Sequence, residues 1–354
     1  MKKMVWMLSF FMVFLATGHS FAMTGVKTSG FVDLYYGYNF NNVKPESNAN
    51  NLRNFDLHTN QFSVNLVEIV LQRDPSVSDP TGFRFDLDFG PTTDLVTGCP
   101  ASTDCSAFKN VQQAYISFLA GKATVDVGKM VTHLGYEVIE TKDNANYSRS
   151  FLFAYSIPYY HSGLRVSYPV SDNIWVNGYA YNGWNVVQDT DPSLTYGATV
   201  GLKSSNTRLT FVQNWYHGDS RDVLDTVLIV KPTEKTTFGL NYDYGSLKNG
   251  AADGSDGLWS GVAVYASHPC SDKFTTSVRY EVFNDRDGAA GTGASGEVKE
   301  VTLTGEYKMS DNLMTRMEVR TDWAEANAQR FKDGDSGGTS DDQTTALVGL
   351  VYTF

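Results

Sequence analysis

Cysteine is nearly absent. Three residues in 354 are too few for a disulfide scaffold and do not make a zinc cluster. Charge is sparse as well, at 19% of residues, and its basic half is the scarcer: 28 Lys+Arg against 39 Asp+Glu, a net charge of −11. That balance argues against nucleic acid as a partner, because phosphates need Lys and Arg to neutralise them. Beyond residue 22 there is no run of about 18 apolar residues, so no transmembrane helix is expected. Walker-type and dinucleotide glycine patterns, metal-ligand clusters and repeats longer than a hairpin are also missing. No cofactor and no metal are expected.

What the chain does have is aromatic residues and glycine. Aromatics make up 13% (21 Phe, 20 Tyr, 6 Trp), beside 31 Gly. That mixture is unusual for a soluble helical enzyme. Residues 1–22 read as a secretory signal peptide: Lys2 and Lys3, an apolar stretch from Met4 to Ala16, then Ser20-Phe21-Ala22. Cleavage after Ala22 leaves 332 residues with a net charge of −13. An exported chain without a helical span is either soluble or a closed β-barrel, the other architecture that satisfies every backbone group in lipid.

Period-2 alternation decides between them. Phe83, Phe85, Leu87 and Phe89 share one face, with Arg84, Asp86 and Asp88 on the other. Met317, Val319, Thr321 and Trp323 oppose Arg316, Glu318, Arg320 and Asp322. Val278, Tyr280 and Val282 oppose Arg279 and Glu281, and Phe238, Leu240, Tyr242 and Tyr244 oppose Asn241 and Asp243. Such segments are strands with one apolar and one polar face. About 16 of them follow, of ~8–13 residues, the length a tilted strand needs to cross a bilayer. The expected spans are 29–40, 61–73, 81–90, 109–119, 123–132, 160–169, 174–184, 194–203, 207–217, 222–231, 235–245, 257–267, 273–284, 297–308, 312–324 and 343–354.

Connections alternate too. Short turns such as Ala120-Gly121-Lys122 and Ser204-Ser205-Asn206 interleave with long polar ones at 41–60, 91–108, 133–159, 185–193, 246–256, 285–296 and 325–342. The short link at 218–221 breaks the pattern. A soluble sandwich needs no such alternation, whereas outer-membrane barrels have short periplasmic turns and long outside loops. Aromatics at strand ends (Tyr35, Tyr36, Tyr38, Phe40, Trp215, Tyr216, Trp323) read as interfacial girdles. The chain ends on an alternating strand with Tyr352 and Phe354 on one face, resembling the terminal signal read by the outer-membrane assembly machinery. The expected fold is an all-β, transmembrane, antiparallel up-and-down β-barrel in one domain, 23–354.

Several stretches carry a family resemblance. They are Ser29-Gly30-Phe31-Val32-Asp33 with Tyr35-Tyr36, Asn60-Gln61-Phe62-Ser63, Phe85 to Gly90, Tyr147 to Phe153, and Ile157 to Gly163. Together they resemble the beta-barrel porin 2 family of outer-membrane proteins over nearly the whole mature chain. The resemblance implies a porin-like barrel in a Gram-negative outer membrane and brings no assigned catalytic or binding residue.

Sixteen strands enclose an aqueous channel, while about 8 are filled by side chains. The expected function is therefore passive diffusion of ions and small hydrophilic solutes. Expected pore-lining residues are Arg84, Asp86, Asp88, Arg165, Asp225, Arg279, Glu281, Arg316, Glu318, Arg320 and Asp322, since an Arg facing lipid at mid-depth costs ~2–4 kcal/mol. Loop 133–159, the third outside loop, is the candidate constriction, with Glu137, Glu140, Lys142, Asp143 and Arg149 setting charge selectivity. The acidic balance points to a mild cation preference. Cys99 and Cys105 are expected to form a local disulfide, leaving Cys270 free. Expected partners are outer-membrane lipid and lipopolysaccharide, the assembly machinery, small solutes and, by analogy with porins of this size, two further copies in a homotrimer.

Three other readings stand beside it. A sugar-specific channel would use inward aromatics, for which Tyr179, Tyr181, Trp259 and Tyr265 are candidates. An adhesin or structural barrel would want longer loops. An outer-membrane enzyme would build on His217-Gly218-Asp219-Ser220 or His161-Ser162, which match no hydrolase pattern.

Overall fold

A computed structural model gives the structure of the protein and describes residues 25–44, 50–97, 108–189 and 193–354. The expected signal peptide 1–22, its cleavage after Ala22 and the Cys99–Cys105 disulfide lie outside the described residues.

Sixteen antiparallel strands close into a barrel. In chain order they are β1 (Lys27–Asn39), β2 (Gln61–Arg73), β3 (Thr81–Phe89), β4 (Val111–Ala120), β5 (Ala123–Val131), β6 (Tyr160–Ser171), β7 (Ile174–Tyr181), β8 (Thr195–Lys203), β9 (Leu209–His217), β10 (Arg221–Val230), β11 (Thr237–Leu247), β12 (Gly257–Pro269), β13 (Phe274–Asp285), β14 (Gly296–Lys308), β15 (Leu313–Ala324) and β18 (Asp342–Thr353). A small hairpin, β16 (Phe331–Asp333) with β17 (Gly338–Ser340), stands in the last outside connection. Each barrel strand pairs with the next one along the chain, and β18 returns to β1. Closure leaves no free edge, so the backbone groups at membrane depth pair with one another.

Every expected span corresponds to a strand, with ends moved by three residues or fewer. The outward face is apolar: Leu303, Met317 and Val348 are each about half exposed (53, 54 and 53%). Their neighbours Thr302, Thr304, Arg316 and Glu318 point inward and are buried. A soluble protein would not present so extensive an apolar band.

Not all the strand-end aromatics belong to a girdle. Tyr36, Tyr38, Phe40 and Trp215 face outward, but Tyr35 and Tyr216 are buried inside. Adjacent strand residues point to opposite faces, so runs such as Tyr35-Tyr36 split between lipid and lumen.

Four elements lie where the sequence reads only loop. They are a short helix α1 (Pro91–Val96) with Pro at its first turn, a 3₁₀ turn (Thr141–Asp143), a π-turn (Leu152–Ser156) and the β16–β17 hairpin. Each is too short to show a hydrophobic period. The break in loop alternation is real, because Gly218 N donates to the Arg221 carbonyl at 2.8 Å and turns the chain directly from β9 to β10.

Two bulges matter for the interior. Register shifts put Asn65 on β2 and Gln112 on β4 as extra residues. Consequently Asn65 and Leu66 are both buried, as are Gln112 and Gln113. Bulges re-aim side chains in this way. At the closing seam Gly30 and Phe354 exchange two backbone hydrogen bonds of 3.0 Å. The Phe354 ring covers Gly30, where a Cβ would come within 2.5 Å of it.

Candidate functional site: the barrel interior

The long loop after β5, residues 132–159, runs into the barrel and lies across its far wall. The wall carboxylates hold it by its backbone. Glu318 on β15 accepts the amides of Tyr147 (2.6 Å) and Ser148 (2.9 Å). Glu281 on β13 accepts those of Phe151 (2.6 Å) and Leu152 (2.7 Å). Asp33 on β1 accepts from the hydroxyls of Thr141 (2.7 Å) and Tyr147 (2.8 Å). Asn146 donates to Thr304 on β14, and Trp259 on β12 donates to Ser156 in the π-turn. Hydrogen bonds to charged groups contribute roughly 1.5–3 kcal/mol each, so these anchors fix the loop firmly.

Glycines make room for it. Tyr147 lies on Gly349 of β18, Tyr136 on Gly239 of β11, and Leu152 on Gly261 of β12. A Cβ at these glycines would stand 2.6, 2.7 and 2.8 Å from the loop side chain.

Arg279 is the hub of the ion network beneath the loop. It donates to Glu300 and Glu137 at 2.6 Å each, to the Ser148 carbonyl at 2.7 Å, and to the hydroxyls of Ser148 and Thr302. Arg320 bonds Asp322 (2.6 Å) and the Arg149 carbonyl, and Asp322 in turn accepts from Arg53 of the first outside loop. Arg316 pairs with Glu306 and donates to the Thr141 carbonyl. Charges alternate along this chain, which is how buried ions remain compensated.

Arg279, Glu281, Arg316, Glu318, Arg320 and Asp322 thus all point inward and are buried under the loop. Asp225 is held by Asn214 and Asn241. On the near wall, Arg84 pairs with Asp86 and Arg165 with Asp126, both at 2.8 Å. These two arginines keep 27 and 26% of their side chains exposed. Asp88 is buried beside Glu68. Of the loop charges, Glu137 is buried against Arg279 and Ser150. Arg149 is buried, donating to the carbonyls of Val138, Tyr147 and Ile139. Glu140 is part-exposed and accepts from Gln112. Lys142 and Asp143 pair at the loop surface, with Asp143 half exposed.

The sequence reading missed Asp33, Arg53, Glu68, Glu137's partner Glu300, and Asp126. Glu300 had a signal, since Val298, Glu300, Thr302 and Thr304 alternate inward. Arg53 had none, because its place in an irregular loop carries no period.

Part of the inward aromatics forms a packed stack. His133 lies on Tyr179 (centroids 4.1 Å apart), His161 on Tyr181 (4.0 Å) and on Tyr216 (5.6 Å), and Trp184 meets Tyr216 edge-on. Tyr179, Tyr181, Trp259 and Tyr265 are all buried. The enzyme candidates do not assemble: His161 meets Thr132 and the Gly183 carbonyl, and His217 meets Asp222. Among the described residues no three of His, Cys, Asp and Glu are placed to hold a metal ion.

His133, at the root of the loop, carries a pH prediction. Burial lowers its pKa from 6.5 to about 4, opposed by its bond to the Trp215 carbonyl and helped by Arg165. The unfolded chain therefore binds the extra proton between those values. Stability is flat above about 6.5, falls as pH drops toward 4, and then levels. His133→Gln should flatten that part of the pH–stability curve. An unchanged curve would show that His133 is not the titrating group.

No curated protein matches the sequence. Solved structures do match the fold. The outer-membrane channel DcaP of Acinetobacter baumannii superposes with a TM-score of 0.61 at 13% identity, over 93% of this chain and 97% of that one. The trimer form of OmpT of Vibrio cholerae gives 0.60 at 12%, over 93% and 99%. An anion-selective porin from Comamonas acidovorans gives 0.57 at 12%, over 93% and 99%. At such identities the likeness shows the fold. The family model described as "Putative beta-barrel porin-2, OmpL-like" matches residues 25–354. With that match over almost the whole chain, the protein belongs to this porin family and is an outer-membrane channel protein rather than an enzyme.

Proposed function

We propose that the protein is a narrow diffusion channel for ions and small hydrophilic solutes, with its passage displaced to one side of the barrel. The seating of loop 132–159 against β11–β15, β18 and β1 carries this reading. Inner-face residues under the loop are buried, whereas Arg84, Tyr115, Arg165 and Asn177 on β3, β4, β6 and β7 remain part-exposed. The passage runs between that near wall and the loop, with Glu140, Lys142 and Asp143 on the loop side. Glu137 and Arg149 latch the loop to itself and to Arg279 instead of presenting charge to the solution. The inward aromatics do not favour a sugar channel, because His133 and His161 lie on Tyr179 and Tyr181, Tyr136 lies against Tyr265, and Trp259 is buried.

The remaining parts of the reading follow from the chain's character. The signal peptide is removed after Ala22, and Tyr352 with Phe354 present the assembly signal. The outward apolar band meets outer-membrane lipid and lipopolysaccharide, and three copies associate as in the trimer form of OmpT.

Planar-bilayer recording under a salt gradient tests the channel. Small ohmic steps are expected from the refolded mature protein. Silence from a folded barrel would overturn the reading. Asp143→Asn should shift the reversal potential toward anions, because that carboxylate is half exposed. Glu137→Gln should act through loop seating, raising conductance with little change in reversal potential. The opposite pattern would put the selecting charge at Glu137.

A further inference from the structure

One place in the interior sets like charges against each other without bonds. Glu68 on β2 and Asp88 on β3 are direct register partners, an arrangement that destabilises a sheet. They are 2 and 0% exposed. Neither oxygen of Asp88 has a hydrogen-bond partner, and neither has Oε2 of Glu68. Glu140 of the lumenal loop brings a third carboxylate within electrostatic reach of both. The β4 bulge turns Gln112 inward, where its Nε2 donates to Glu140 at 3.2 Å. Its Oε1 is buried with no partner.

The neighbouring ions do not resolve this. Asp86 is satisfied by Arg84 and Gln113. The Lys129 ammonium acts on Asp88 only at a distance, since it donates to the Val111 carbonyl and sits 4.1 Å above the Tyr160 ring. Three carboxylates against one ammonium leave two negative charges, with Glu68 and Asp88 buried and Glu140 part-exposed beside them. Uncompensated buried carboxylates destabilise the fold, so the site calls for a counter-charge.

We propose that a divalent cation of the calcium and magnesium class binds among Glu68, Asp88, Gln112 and Glu140. Every open atom there is a carboxylate or amide oxygen, the ligand type of hard cations, with no imidazole or thiol among them. Two uncompensated charges match one such ion. No three of the described carboxylates are placed to hold a metal ion by themselves, so the Gln112 oxygen and part of the ion's own water shell complete the coordination, as magnesium keeps water in proteins. Through Glu140 it fastens the loop to β2–β4, on the side away from the Glu281 and Glu318 anchors.

The test uses mature protein refolded in detergent free of lipopolysaccharide and stripped with EDTA. Calcium chloride and magnesium chloride are titrated by calorimetry, with thermal unfolding as a second readout. Saturable uptake of one ion per chain and a raised Tm are expected. The E68Q/D88N double variant should lose both responses, and its stripped form should be more stable than stripped wild type. Q112A, which leaves every charge in place, should weaken binding by ~tenfold. D253N, in an exposed outside loop, should bind as wild type does. Absence of saturable binding by wild type, with proton uptake near neutral pH instead, would mean that the carboxylates are neutralised by protons and would overturn the proposal. Unchanged affinity in both E68Q and Q112A would overturn it equally.

Discussion

Replacing Glu281 and Glu318 together by Ala should raise single-channel conductance several-fold while leaving the barrel intact. These two carboxylates accept four consecutive-pair amides of the loop: Tyr147 with Ser148, and Phe151 with Leu152. Without them four N–H groups stay buried with no acceptor, each at a cost of ~1–3 kcal/mol. The loop then does better to leave the wall and hydrate its backbone in the lumen or outside. A 16-strand cylinder without an internal loop is wide enough for a large aqueous channel, so the current should rise toward that limit. The barrel itself keeps its strand pairing, which strand-type circular dichroism and a heat-modifiable gel band can verify. The Gln versions keep an acceptor oxygen at each site and should give a smaller increase. Wild-type conductance in the double-Ala protein would mean that the loop does not lie in the current path.

Arg279→Met should be the most damaging single change to stability. Arg279 is fully buried and supplies Glu300, Glu137, the Ser148 carbonyl and two hydroxyls at once. Methionine fills much of the space but leaves Glu137 with no cation and Glu300 with only Arg320, 3.5 Å away. Breaking one side of a buried ion pair costs roughly 3–5 kcal/mol. Reversible urea unfolding in lipid vesicles is the measurement, read as a shift in midpoint at unchanged slope. Arg279→Lys restores the charge but not the fork that reaches both carboxylates, so it should fall between. A methionine variant within about 1 kcal/mol of wild type would show that the network is already neutralised by protons.

The strands were legible because their signal is local. Period-2 alternation places Arg316, Glu318 and Arg320 on one face whatever they later touch, and the alternating loop lengths name the membrane. What those residues touch is not local. Glu281 and Glu318 read as charges for a water-filled pore, yet they bind amides of a loop more than a hundred residues earlier in the chain. Backbone amides carry no mark in a sequence, so no pattern in 133–159 announces that they need acceptors. The seats of that loop are equally silent, because Gly239, Gly261 and Gly349 look like any strand glycine until a ring or a leucine is seen lying on them. Tyr35 and Tyr216 misled for the reverse reason: strand-end position suggests a girdle, but parity decides the face.

The seam between β1 and β18 has a consequence for how the molecule is made. The middle of the loop docks where the two chain ends meet. Tyr147 reaches Asp33 on the first strand, lies on Gly349 of the last, and gives its amide to Glu318 on the one before. That docking surface does not exist until Phe31 stands opposite Thr353, contacts separated by nearly the whole chain and hence slow to form. The loop must therefore wait, enclosed but unseated, while the wall around it is completed. A nascent barrel would pass through a wide, leaky stage, and the step that narrows it would come after the last strand arrives.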